Sequence, residues 1–240
     1  MAGPTVEIAR HTLAYGLGFV VGGLARLVLM PIIARTLTAE EYGVYALLLA
    51  FITFLQIAFE LGLVETLIRF HHDRPAAEER RRLRALVFVV MPAVDLLLAV
   101  PLWLAREPIS LALLGTAGHG HLVGIAIVTA FFGTQLALYL GHLRAEDRSR
   151  QFVLVMALRG LAALVTTVIL VFGFDLGIEG FLLGQLAAPA VVLLVTLPKL
   201  FASLGLDLED AGRRLRPMVG YGLPLLPSAL GMWALSYVDA

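Results

Sequence analysis

The chain has no cysteine, no asparagine, a single lysine and few charges of either sign. Without thiols there is no disulfide, no thiolate metal site and no cysteine nucleophile, so redox chemistry points to no compartment. Charged residues are 15% of the 240 and hydrophobic ones 60%, with a mean hydropathy of +0.90. A chain this apolar lacks the polar side chains needed to cover a water-exposed surface. It reads as a polytopic membrane protein. Residues 1–16 also lack the charged region, short apolar core and small-residue cleavage site of a secretory signal, so Met1 is expected to stay on the mature protein. The missing Asn and near-missing Lys are read as a compositional bias of the genome.

What is present is a series of long apolar runs. Windows of about 19 residues pick out spans near 13–35, 43–68, 84–105, 121–143, 152–172, 181–201 and 219–240. The first two form a hairpin around the acidic turn at 36–42, and the second ends in an arginine cluster. The fold class expected is all-α, a polytopic membrane helical bundle of six transmembrane helices plus a seventh at the C-terminal end. Net charge is zero, but the charges are segregated. Arg10, Arg69, Arg74, Arg80, Arg81, Arg82, Arg84, Arg144, Arg148, Arg150, Lys199, Arg213, Arg214 and Arg216 fall in alternate connections, against only Arg35 and Arg106 in the others. This asymmetry predicts a cell inner (cytoplasmic) membrane protein, multi-pass, with a cytoplasmic N-terminus.

The connections on the outer side are short, so function has to be built within the bilayer. Pro31, Pro92, Pro189, Pro224 and Pro227 each remove a backbone donor inside a span, and the Leu-Pro-Leu-Leu-Pro stretch at 223–227 predicts a bend in span 7. Gly18 and Gly22 form a GxxxG pair expected to serve close packing. The chain stops at Asp239-Ala240 without a basic or aromatic anchor, which reads as the first part of something longer.

Charges inside spans are costly and tend to mark function. Arg26, Glu60, Glu65, Asp95, Arg159 and Asp239 are the six candidates. At ~1.5 Å per residue, Arg26 and Asp95 reach similar depths from opposite surfaces, and Arg159 and Glu60 lie at similar heights above the inner surface, so each pair is placed to meet. Such pairs either fix helix packing or line a water-filled cavity. Glu65 and Arg69, four apart, read as a local ion pair. Gln135, Tyr139 and His142 share a face of span 4 and suit interhelical hydrogen bonds. His71, His72, His119 and His121 lack carboxylate partners at useful spacing, so no metal site is expected. The basic run at 78–84 reads as a topology determinant at the lipid headgroups.

The segments IIARTLTAEEYGVYALLL at 32–49, ELGLVETLIRFHHD at 60–73 and YGLPLLPSALGMWALSYVDA at 221–240 carry a resemblance. They resemble the polysaccharide biosynthesis proteins, or oligosaccharide flippases, of the multidrug/oligosaccharidyl-lipid/polysaccharide exporter superfamily. The resemblance implies two six-helix lobes facing each other around a central cavity. Residues 1–201 would be the N-terminal lobe, 202–218 a cytoplasmic linker, and 219–240 the first helix of a second lobe. It implies a transporter and not an enzyme, one that flips a lipid-linked diphosphate oligosaccharide by alternating access. Arg26 and Arg159 would contact the diphosphate, because guanidinium groups match phosphate oxygens. Glu60 and Asp95 would pair with them or take a coupling ion. Expected partners are the lipid-linked oligosaccharide, membrane lipids and the glycosyltransferases or polymerase of the same route; no nucleic acid and no cofactor is expected. The rival readings are a cation-coupled multidrug exporter of the same superfamily, a membrane sugar polymerase or ligase, for which the external loops are too short, and a non-transporting scaffold of a polysaccharide synthesis complex.

Overall fold

The computed structural model describes residues 16, 20, 23, 24, 27–73, 76–203 and 211–238. These form α1 (Leu27–Thr36), α2 (Ala39–Glu60), α3 (Leu63–His72), α4 (Ala77–Leu104), α5 (Arg106–Leu114), α6 (Gly120–Ala145), α7 (Ser149–Val168), α8 (Gly177–Ser203), α9 (Ala211–Gly222) and α10 (Leu226–Val238). The all-helical architecture is as expected, and no strand occurs among the described residues. Among the described residues, six helices are long and apolar enough to cross a membrane: Ala39–Glu60, Ala77–Leu104, Ala117–Ala145, Ser149–Gly173, Gly177–Thr196 and Leu215–Tyr237. The expected first span, 13–35, falls largely outside the described residues. What is described of it is the short apolar helix α1.

The centre of the bundle is α6, which packs against α2, α3, α4, α5, α7 and α8. Its burial on most sides follows from its composition, because a helix that is apolar all round has no face to offer water. One core, around Leu48, Phe59, Ile127 and Phe181, joins α2, α6 and α8. A second joins α3, α4, α6 and α9 through Leu67, Met91, Leu138 and Met218. The third ties α7 and α8 to α6 through Phe152, Val192 and Leu143.

Three local departures from the sequence reading have physical causes. The second span is not one helix: Leu61 and Gly62 both take left-handed φ, 48° and 65°, and separate α2 from α3. The basic run at 78–84 is not a loop. It forms the first turns of α4, where Glu78 accepts hydrogen bonds at 3.0 Å from Arg81 and Arg82 on its own helical face. The connection after α4 contains a short helix, α5, closed by Gly115 at φ 73° and by the Ser110 hydroxyl donating to the Thr116 carbonyl at 2.7 Å.

Elsewhere the local signals behave as sequence chemistry predicts. Thr38 and Glu41 form a reciprocal capping box that starts α2. The Leu-Pro-Leu-Leu-Pro stretch interrupts span 7 as a 3₁₀ turn, Leu223–Leu225, between α9 and α10. Beside it, Gly62 and Gly222 bring two backbones together. A Cβ on Gly62 would stand 2.6 Å from the Gly222 carbonyl oxygen, which no side chain tolerates without backbone movement.

Candidate functional site

A cavity of about 1620 Å³ opens between α1, α2, α8 and α10. One wall is apolar, with Leu24, Leu27, Met30 and Ile33. The other carries Tyr42, Tyr45, Gln56, Gln185, Trp233 and Tyr237. Among the described lining residues none is charged. Gln185 donates to the Tyr45 hydroxyl at 3.5 Å, and Trp233 donates its indole N–H to the Ala50 carbonyl at 3.2 Å. The Trp233 ring lies 5.3 Å from Phe54 and 5.5 Å from Tyr237, whose hydroxyl is 3.4 Å from that of Thr53. These contacts hold α10 against α2 and fix the aromatic faces at the cavity edge. Such rings and amide groups offer both stacking and hydrogen-bonding surfaces to a polar ligand.

Beside this cavity is a buried polar cluster. Asp95 on α4 is fully buried, and its Oδ2 accepts a hydrogen bond of 2.6 Å from Gln135 on α6. Its other oxygen, Oδ1, has no hydrogen-bond partner. Gln56, which lines the cavity, lays its amide over Gly133 of α6, where the missing Cβ makes room. Glu60 lies one turn further along α2 and is half-buried; the charges acting on it come from Glu65 and Arg144. Arg159 is half-buried on α7. The cavity lining therefore continues, through Gln56, toward the acidic groups and not directly onto them.

At the arginine-rich end, Glu146 gathers partners from three directions. It pairs with Arg84 of α4, with Arg148 at 3.3 Å and, at 3.6 Å, with His142 Nε2. His71 is held below the ordinary imidazole range, by burial first and then by the Arg80 guanidinium. Arg69 does not pair with Glu65 as its spacing suggests. Its guanidinium sits 4.2 Å over the Tyr221 ring of α9, with Asp73 at 3.8 Å, because the packing of α9 on α3 brings an aromatic face within reach.

Residues 8–240 match the model of the family described as polysaccharide biosynthesis protein. The chain belongs to this family. Among curated proteins none matches it. Among solved structures it is similar to the MATE transporter VcmN of Vibrio cholerae in its bent form, at 21% identity and TM-score 0.69, covering 96% of this chain and 56% of that one. A MATE protein in complex with MaD3S is similar at 22% identity and TM-score 0.73, covering 96% and 55%. A MOP superfamily transporter from Pyrococcus furiosus, described by the reverse polarity of its binding pocket, is similar at 20% identity and TM-score 0.68, covering 96% and 54%. The chain thus spans little more than half the length of the structures it matches. The family is that of polysaccharide biosynthesis proteins, and the fold is one shared with these transporter structures.

Of the residues singled out from sequence, Arg26, Gly18, Gly22 and Asp239 lie outside the described residues. Gln135 makes the interhelical hydrogen bond its position suggests, and its acceptor is Asp95. The cavity residues missed were Gln185, Trp233 and Tyr237. The available signal was modest: an amide inside an apolar run, and aromatic residues four apart on the last helix. No group of three metal-ligating side chains occurs among the described residues.

Proposed function

We propose that this chain is the first lobe, with the linker and first helix of a second, of a transporter that flips a lipid-linked diphosphate oligosaccharide across the cytoplasmic membrane. In this reading residues 1–201 form the lobe, 202–218 the linker, and the second lobe begins at 219. The N-terminus and the arginine-rich end face the cytoplasm, where the substrate is loaded. The observation that carries the reading, given the family, is the two-sided cavity: an apolar wall for the lipid and a wall of aromatic rings and amides for the sugar. Arg26 stands in sequence between Leu24 and Leu27, both of which line that cavity, and supplies the cation for the diphosphate. Arg159 is its second contact as the cavity reorganises. Glu60 and Asp95 exchange a coupling proton or cation as the lobes alternate between their two states. The glycosyltransferases or polymerase that make and use the sugar are its neighbours in the membrane.

Arg26→Ala in the intact protein is expected to lower surface polysaccharide at least about tenfold at unchanged protein level, with Arg26→Lys retaining part of it, because a point charge replaces a bidentate contact. Normal export from Arg26→Ala would remove that residue from the mechanism. Trp233→Phe and Gln185→Leu test the other wall. Removing one ring edge or one amide costs about 1 kcal/mol of substrate binding, so export is expected to need several-fold more substrate. The fold it shares with MATE proteins favours a second reading, cation-coupled drug export. Deletion that raises drug sensitivity while leaving surface polysaccharide intact would choose that one.

A further inference from the structure

A second cavity, of about 420 Å³, lies between α6, α7 and α8 at the arginine-rich end. Its polar end is formed by Arg148, Gln151, Tyr139 and His142. Its apolar end is formed by Leu154, Leu158 and Val195. Leu154 and Val195 are 68% and 54% exposed, so the cavity opens sideways between α7 and α8. Past Gln151, the exposed residues of α7 are Leu154, Leu161 and Val165, all apolar. A helix face of that composition meets acyl chains, and its polar-to-apolar step falls within one turn of Gln151.

Two features bear on the ligand this cavity would take. Arg148 is the charged residue of its described lining, and the charges of Glu146, Arg84 and Arg148 act on His142 within it, two cations against one anion. Glu146 is already paired with Arg84, so the balance at Arg148 is positive. Independently, His142 is only 2% exposed, lines the cavity, and leaves Nδ1 without a hydrogen-bond partner. A buried ring nitrogen without a partner is costly unless something enters to meet it.

We propose that this cavity binds an anionic phospholipid of the leaflet at the arginine-rich end. The phosphate takes hydrogen bonds from the Arg148 guanidinium and the Gln151 amide. The glycerol head reaches His142 Nδ1, and the acyl chains lie along Leu154, Leu158 and Val195. The bound lipid bridges α7 and α8 at the end where α6 turns into α7. This site is separate from the transport cavity, so its test does not depend on what is transported.

The test is native mass spectrometry of the intact protein, counting bound phosphatidylglycerol and phosphatidylcholine after matched detergent exchange. Phosphatidylglycerol is expected to be retained about tenfold over phosphatidylcholine, the worth of one or two charge-assisted contacts. The double variant Arg148→Ala with Gln151→Ala, both exposed side chains, is expected to lose that preference, while Arg81→Ala keeps it. His142→Phe, which keeps the ring packing, is expected to weaken phosphatidylglycerol retention without altering that of phosphatidylcholine. Equal retention of the two lipids, or an unchanged preference in the double variant, would overturn the proposal. So would displacement of phosphatidylglycerol by millimolar inorganic phosphate or by an equimolar polyprenyl diphosphate, which would assign the cavity to a different phosphate.

Discussion

Gly62→Ala is expected to destabilise the protein by about 2–5 kcal/mol, which adds a left-handed backbone penalty to the cost of overpacking. The φ of 65° at Gly62 places any Cβ in a strained conformation, and that Cβ would also stand 2.6 Å from the Gly222 carbonyl oxygen. Both partners at this contact are backbone, so no side chain can swing away. Gly222→Ala meets the same contact from the other side, against the Leu61 carbonyl, but with a φ of −71° that any residue adopts. It should cost only the overpacking part, about 1–3 kcal/mol. Gly220→Ala, on the same helix with open space around it, is expected to be neutral or slightly stabilising. In detergent the thermal midpoints should order as Gly220→Ala, then Gly222→Ala, then Gly62→Ala, the last lower than wild type by about 5–15 °C. A Gly62→Ala midpoint equal to wild type would mean that the two backbones do not meet as described. The functional weight of the contact comes from its place. It joins the break in the second span to the turn that starts α10, and the Arg69 stack on Tyr221 lies beside it. A disturbance there displaces the wall of the large cavity that carries Trp233 and Tyr237.

The all-helical class and six long apolar helices were legible because membrane insertion imposes a coarse requirement on composition and length, while the seventh expected span is not shown among the described residues. Proline chemistry also transferred directly, since the bend expected at 223–227 is a 3₁₀ turn. The break at Leu61-Gly62 was not legible, because apolarity continues across it and only tertiary contact with Gly222 explains the left-handed pair. Depth along a helix placed Asp95 level with Arg26, but depth says nothing of neighbour order. Its partner among the described residues is Gln135, and what selects that partner is the central position of α6, which hydropathy does not encode. Arg69 shows the same limit: four-residue spacing suggested Glu65, and an aromatic ring from a helix about 150 residues later took the guanidinium.

Asp95→Asn is expected to leave the fold intact and to reduce export at least about tenfold, the signature of a group needed for its charge or proton and not for its shape. The substitution keeps an oxygen to accept the 2.6 Å hydrogen bond from Gln135, so its stability cost should stay within about 1 kcal/mol. Asp95→Leu removes that acceptor and leaves the Gln135 amide buried beside an apolar group, which costs about 1–3 kcal/mol. The two variants therefore separate structure from function. If Asp95 serves packing alone, Asp95→Asn exports normally and only Asp95→Leu fails, through lost protein. If it exchanges a coupling ion, both fail, and Asp95→Asn does so at wild-type abundance and melting temperature. The unpartnered Oδ1 favours the second outcome: a fully buried carboxyl kept for packing alone would gain from a second donor, whereas one that must bind and release an ion needs an oxygen left open. Glu60→Gln completes the test. The Glu60 charge acts on Asp95, so if they serve one ion the double variant should lose no more export than Asp95→Asn alone, whereas independent roles would multiply the losses.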